Sequence, residues 1–313
     1  MKLHLIIDFS FLYYKYKNKL ERGSMPHLTT QAGEYWGIDG IEPGDIFDIS
    51  EVYYSIREIE GFRKNLDSDY DVTISICFDS KSDRKSEDSE YKANRKSSLV
   101  DSDFAKIQLT KRILTMVGYN VYQIEGFEAD DLVYSLVQMY KNQFDATYIY
   151  TPDLDLFVNI DKQCKVGVYR YKWTTGYMGV NVNNFTAYTS AELKCHIPFN
   201  CILLYKATVG DKSDNIKGIQ GFGPKAFDKL IQSYPLDSTG YAEMVDSNNV
   251  KQYILKYLPQ SFSEEKVEQA IQSLYQVTPI KIEGLPKLIL GNATKEKRNQ
   301  VYSELSMLSL LED

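Results

Sequence analysis

Three short apolar runs in this chain each deliver an aspartate at or just past their end. Leu3–Ile7 leads into Asp8, Val72–Phe78 into Asp79, and Ala146–Tyr150 reaches Asp153 through Thr151 and Pro152. β-Branched and aromatic runs bounded by polar turns read as strands. Helix-length segments lie between them, and strands alternating with helices imply a parallel α/β sheet. Such a sheet presents the carboxyl ends of its strands along one edge, where ligands bind. The three aspartates are therefore expected to converge there. More carboxylates follow at tight spacing, in Glu128-Ala-Asp130-Asp131, Asp153-Leu-Asp155 and Asp211-Lys-Ser-Asp214. Carboxylates within about 4–6 Å raise one another's pKa and resist joint ionisation unless cations hold them. The pattern points to a divalent-metal site.

Acids at a helix start also suit the macrodipole, which by itself accounts for any one of Glu128, Asp130 and Asp131. It does not account for Asp8, Asp79, Asp153 and Asp155 at strand ends. Magnesium is the expected ion, being hard, oxygen-seeking and partly hydrated. Two such ions about 3.5–4 Å apart can activate a water and stabilise a leaving oxygen. Histidine-dependent catalysis is disfavoured, because His4, His27 and His196 are the only histidines and none sits in these motifs.

A net charge of −7 and a pI near 5.2 would ordinarily argue against a nucleic-acid binder. Set aside the nine motif acids, however, and the rest of the chain is slightly basic. Local charge and bound metal, not the global balance, decide the question of a phosphate-bearing substrate. The cysteines Cys77, Cys164, Cys195 and Cys201 form no CxxC pair, which suits reduced thiols in a cytosol. Zinc at Cys195, His196 and Cys201 is a weak alternative, since structural zinc wants four ligands. Asp8 interrupts the first apolar run, which is not expected to be a signal peptide. No apolar stretch approaches membrane-spanning length.

Helices are expected over 9–20, 50–65, 103–117 with Gly118 as cap, 128–140, 202–208, 224–233, 263–275 and 294–311. Asn120–Ile124 reads as a short strand and 165–182 as a hairpin added to the sheet. Residues 22–50 read as an irregular excursion, and strands are expected to stop beyond about residue 188. The expected organisation is an α/β core over 1–188 and a helical region over 189–313.

Two further elements bear on substrate. In Gly218-Ile-Gln-Gly221-Phe-Gly223-Pro-Lys225, glycines permit close backbone approach, and Pro224 suits a first helical position. Amides at that helix start can receive a phosphate, with Lys225 and Lys229 adding charge. The plainer reading is a glycine-stabilised helical joint. The segment from Lys81 to Lys96 carries six basic and four acidic residues, and alone it reads as a solvated loop. Within it, Lys92 and Arg95 are suited to holding a scissile phosphate, with Tyr91 placed to stack on a base.

Taken in order, these pieces resemble the 5′ nuclease family, which includes phage 5′→3′ exonucleases, flap endonucleases and the 5′ nuclease domain of bacterial DNA polymerase I. The resemblance spans roughly residues 4–231. It rests on Ile7-Asp8, on Phe78-Asp79 followed by Tyr91-Lys92-Ala-Asn-Arg95, on Gly126-Phe-Glu128-Ala-Asp130-Asp131, on Thr151-Pro-Asp153-Leu-Asp155, and on Val209-Gly-Asp211-Lys-Ser-Asp214-Asn-Ile. It implies a PIN-like, mostly parallel sheet flanked by helices, with a helix–three-turn–helix element at about 202–232.

The resemblance also implies roles. Asp8, Asp79, Glu128 and Asp130 would surround one Mg²⁺, and Asp155, Asp211 and Asp214 a second, with Mn²⁺ able to substitute. Asp153 and Asp131 would bridge the ions or stand behind them. Lys92, Arg95 and Lys96 would belong to a helical arch over the site at about 81–103, through which a free 5′ end threads. Lys217 and the loop at Gly218, Gly221 and Gly223 would grip duplex backbone, in some relatives with K⁺ on the carbonyls. Lys217 stands where relatives often have proline. The implied protein is a monomeric nuclease acting in replication or repair on flaps, duplex 5′ ends and RNA–DNA hybrids. It would work in a bacterial or phage-infected cytoplasm, beside a replication polymerase or single-strand-binding protein. No polymerase domain follows the match, as in stand-alone, often phage-encoded members. The competing readings are a PIN-type endoribonuclease and a catalytically inactive DNA-binding scaffold.

Overall fold

A computed structural model describes residues 1–313 except 35, 39, 68, 82, 84–98, 162–164, 173–175, 182, 199–200, 234–261, 292–293, 306 and 312–313. In chain order the elements are β1 (Lys2–Asp8), α1 (Phe9–Glu21), β2 (Thr29–Gln31), β3 (Ile46–Asp48), α2 (Ser50–Leu66), β4 (Asp71–Cys77), α3 (Asp101–Val117) and β5 (Asn120–Tyr122). Then come α4 (Ala129–Tyr140), β6 (Ala146–Tyr150), a 3-10 turn (Asp155–Asn159), β7 (Val166–Lys172), β8 (Gly176–Val180), α5 (Phe185–Leu193), α6 (Ile202–Val209), α7 (Pro224–Ser233), α8 (Glu264–Val277) and α9 (Lys295–Glu304). The chain forms two compact units.

The first unit comprises Met1–Asp79, Ser97–Gln123 and Pro286–Asp313. β1 and β4 pair in parallel from Lys2↔Asp71 to Asp8↔Cys77, and β4 pairs in parallel with β5. After its first residue each of β1 and β4 is buried throughout. That is why both read as continuous apolar runs and not as alternating ones. Asp8 ends β1 and caps α1, its carboxylate accepting the Phe11 N–H. Phe9 stacks on Phe78 with ring centroids 4.2 Å apart, fixing the strand-to-helix corner. The open edge of β5 is covered through the Asn120 side chain, which exchanges hydrogen bonds with both backbone groups of Ile289. Pairing an edge in this way removes a template for association. Residues 286–313 thus return to the unit that begins the chain. There Tyr302 and Tyr119 both donate to the buried Glu60, and Arg63 completes its hydrogen bonding.

The excursion at 22–50 is less irregular than expected. It holds the β2–β3 hairpin, paired from Thr29↔Asp48 to Gln31↔Ile46. Three-residue strands carry too little period for a sequence pattern to show.

The second unit comprises Ser80–Lys96 and Ile124–Leu285. β6 and β7 are parallel, and β7 and β8 form the expected antiparallel hairpin. Across the described residues the pairings are thus mostly parallel and the strands carry helices against them, which bears out the expected fold class. α6 is buried along its length and packs against α8, as a helix apolar on all sides must be. α5 was not anticipated. The helix expected over 294–311 stops at Glu304 and yields to a 3-10 turn at Leu308–Leu310. Among the described residues, no helix is long and apolar enough to cross a membrane.

Candidate metal centre

In the first unit, Asp8 ends β1 and Asp79 lies two residues past the end of the neighbouring parallel strand β4. Asp8 is buried. The Asp79 carboxylate accepts a short hydrogen bond from the Ser10 hydroxyl. Its carbonyl accepts from Gln123 Nε2 at 2.7 Å, and Gln123 in turn accepts from Lys111. Ser10 and Gln123 were not singled out from sequence. Nothing local marks them, because their partners lie 69 and 44 residues away.

The second unit gathers acids from three loops. Asp130 opens α4, and Asp153 and Asp155 follow β6. One carboxylate oxygen from each lies within 4.8 Å of the other two. The turn that delivers the last two is set locally. Asp153 N–H donates to the Thr151 hydroxyl, and Asp155 N–H donates to the Asp153 carboxylate. Such side-chain-to-backbone bonds two residues apart hold a tight turn open at its acids.

Glu128 is the N-cap residue of α4. Asp131 is placed differently from its neighbours. It is buried, and its two oxygens accept the backbone N–H groups of Glu128 and Ile280. Its carboxylate is thereby committed to holding the start of α4 against the segment at 280.

The third loop follows α6. Asp211 accepts from the Ser213 N–H and hydroxyl. Asp211 and Ile216 bond each other's backbone in both directions, and Asp214 is buried within this turn. Gly210 and Gly218 sit at φ 91 and 61. A Cβ on Gly218 would fall 2.5 Å from the Gly210 nitrogen, so the close backbone approach requires glycine. The Ile219 N–H then closes the hairpin on the Thr208 carbonyl, and α7 starts at Pro224. Gly221 and Gly223 have open space around them, while Lys217, Lys225 and Lys229 are exposed.

Lys206, in the last turn of α6, was not anticipated. Its buried ammonium contacts the carboxylate of Asp155 and lies 2.7 Å from Asp211 Oδ2. Burial alone would raise the Asp211 pKa, but the Lys206 ammonium and the Ser213 donors outweigh it and hold it near 2. A lone lysine in the otherwise uncharged run Ile202–Val209 was the available signal, since a buried ammonium needs a carboxylate partner.

Tyr91, Lys92, Arg95 and Lys96 lie outside the described residues. The start of their segment is anchored, with Ser80 N–H on the Phe127 carbonyl and Asp83 N–H on that of Gly126. Ser80 and Asp83 are thereby held against the loop that leads into Glu128.

The donors gathered here are carboxylate oxygens alone. That set suits a hard divalent cation such as Mg²⁺ or Mn²⁺ over ions that seek thiolate or imidazole.

The family model described as the 5′-3′ exonuclease, N-terminal resolvase-like domain, matches residues 6–193. A DNA polymerase I from Caldicellulosiruptor bescii is 34% identical over 173 residues, covering 55% of this chain and 20% of that protein. A 5′-3′ exonuclease from Mycoplasma pneumoniae is 33% identical over 189 residues, covering 60% of this chain and 62% of that protein. The matches thus span less than two thirds of either relative's length. A structure of the bacteriophage T5 5′-exonuclease with divalent metal ions (zinc) bound superposes with a TM-score of 0.53 at 18% identity, covering 88% of each chain. That last likeness is one of fold.

Proposed function

The chain belongs to the 5′-3′ exonuclease family, and on that premise we propose that it is a metal-dependent, structure-selective 5′ nuclease. It hydrolyses phosphodiesters near the 5′ ends of DNA, on flaps, nicked or blunt duplexes and RNA primers. The observation that carries this reading is the approach of Asp130, Asp153 and Asp155 within 4.8 Å, with Asp211 joined to Asp155 through Lys206. Carboxylates so close favour a divalent cation, and the hairpin that follows Asp211 offers open amides and lysines.

In this reading Asp8, Asp79, Glu128 and Asp130 hold one ion, Asp155, Asp211 and Asp214 the other, and Asp153 is shared. The family pattern supports that division. Asp131, with both oxygens bonded to backbone N–H groups, orients the α4 start instead of ligating. Mg²⁺ ions bound there supply an activated water and neutralise charge on the leaving oxygen. Lys92 and Arg95 hold the scissile phosphate, and Tyr91 and Lys96 guide the 5′ strand. Lys217, Lys225, Lys229 and the amides of Gly221 and Gly223 contact duplex phosphates. Backbone contacts position a duplex without reading its sequence, which suits selectivity for structure. Gly218 shapes this loop, and K⁺ is the proposed ion for its carbonyls.

A DNA polymerase I among the relatives supports work alongside a replication polymerase. Among the described residues Cys77, Cys195 and Cys201 form no disulfide, which supports a reducing cytoplasm. Incubation with a 5′-labelled flap duplex and Mg²⁺ tests the function. Metal-dependent release of short 5′ products is expected, and their absence with folded protein would overturn it.

A further inference from the structure

Lys206 stands where a cation is wanted. Its side chain is only 7% exposed, and its ammonium touches Asp155 and Asp211, which come from separate loops. The site fixes it from several directions. α6 is buried around it and rests against both α8 and the 3-10 turn that Asp155 begins. The ammonium sits at the carboxyl end of α6, where the helix dipole favours positive charge. Ser213 holds the Asp211 carboxylate from the other side through two hydrogen bonds. Two carboxylates this near to one another and this shielded from water require a counter-charge.

We propose that Lys206 is a resident counter-ion that holds Asp155 and Asp211 together and yields its place to the second divalent ion. The inference rests on the two-ion reading above and adds an order to it. A divalent ion held by both carboxylates would bring a double positive charge to the position that the Lys206 ammonium now neutralises. Nζ, at 2.7 Å from Asp211 Oδ2, would then be a near neighbour of like charge. Repulsion between neighbouring like charges would outweigh a hydrogen bond, so the ammonium would have to leave the two carboxylates for the ion to be held by both. The second ion therefore binds more weakly than the first, because it displaces an existing charge pair. Asp130 and Asp153 are not among the carboxylates that Lys206 contacts, so binding of the first ion is free of this competition. Lys206 is a positioning residue in this scheme, acting through its two aspartates.

Mn²⁺ titration followed by electron paramagnetic resonance, on the full chain, tests the proposal without any turnover. Wild type should bind two ions of unequal affinity. Lys206→Met, which keeps the apolar stem, should bind the second ion at least about tenfold more tightly and leave the first unchanged. The same variant should melt earlier than wild type in EDTA and gain more from added Mn²⁺. Lys206→Gln retains a hydrogen bond to the carboxylates, and it should show the same change in second-ion affinity if the methionine variant fails to fold. An unchanged or weakened second affinity in a folded variant overturns the role of Lys206 and leaves the metal centre standing. Failure of wild type itself to bind Mn²⁺ overturns both.

Discussion

The backbone N–H of Ile280 donates to Oδ1 of Asp131 at 2.7 Å, joining positions 149 residues apart. The other Asp131 oxygen takes the Glu128 N–H at 3.1 Å. One buried carboxylate thus fixes the acid-bearing start of α4 to a segment distant along the chain. Ser135, one turn along α4, continues the contact by accepting the Ile282 N–H.

Removing that carboxylate should therefore destabilise the fold. Asp131→Ala leaves two N–H groups without their acceptor, and each orphaned group costs about 1–3 kcal/mol. Asp131→Asn keeps one acceptor oxygen and should lose roughly half as much. Urea denaturation of the two variants checks the order.

Asp153→Asn should separate chemistry from binding. The Asp155 N–H can still find an amide oxygen at 153, so the turn survives. Flap cleavage should fall by about a hundredfold, the scale expected when a metal site loses a supporting group. Gel-shift affinity for the same flap should stay within about twofold of wild type. Lost binding in a folded variant would contradict the assigned role.

Two glycines of the hairpin should behave differently. Gly218→Ala places a methyl 2.5 Å from the Gly210 nitrogen at φ 61, and a loss of about 2–4 kcal/mol is expected from strain plus collision. Gly221→Ala also strains a positive φ but meets open space, so about 1 kcal/mol is expected. Thermal melts give the comparison directly.

On α7, Lys225 and Lys229 lie one helical turn apart and are exposed. Replacing either with alanine should weaken duplex binding equally across sequences. The slope of log affinity against log salt should drop by about one for each lysine removed. Fluorescence anisotropy over a salt series measures both effects.

Stability should depend on His4. The ring is buried in β1 with Nε2 2.8 Å from the Ser75 hydroxyl, and burial lowers its pKa from 6.5 to about 3. The unfolded chain then binds the proton more readily than the folded one. Stability from this residue is complete above about pH 6.5. It is lost as pH falls towards 3, by up to about 1.4 kcal/mol per unit. His4→Asn should flatten that part of the pH profile in denaturant titrations.

Much of the site was legible because its determinants are local. β1 and β4 read as strands from apolar runs buried on both faces and β6 from a short β-branched and aromatic run, and Asp8 and Asp79 follow directly from where the first two runs stop. The turn at Thr151–Asp155 and the acidic start of α4 depend on bonds spanning two or three residues. The hairpin after Asp211 announced itself through glycines, of which Gly210, Gly218 and Gly221 take positive φ and Gly218 packs too closely on Gly210 for a β-carbon. Such features are fixed by short-range sterics and hydrogen bonding, which sequence spacing reports faithfully.

What the tertiary structure alone decided concerns partners far apart along the chain. Asp130, Asp131, Asp153 and Asp155 look alike as sequence, yet three converge while Asp131 turns to the Ile280 backbone. Lys206 appears as the one charged residue in an otherwise mostly apolar helix, and only the fold brings Asp155 against it. The return of residues 286–313 to the first unit, through Asn120 and Glu60, has no local sign either. A carboxylate's role depends on which charge or N–H the packed chain puts within 3 Å of it. No spacing along the sequence states that distance.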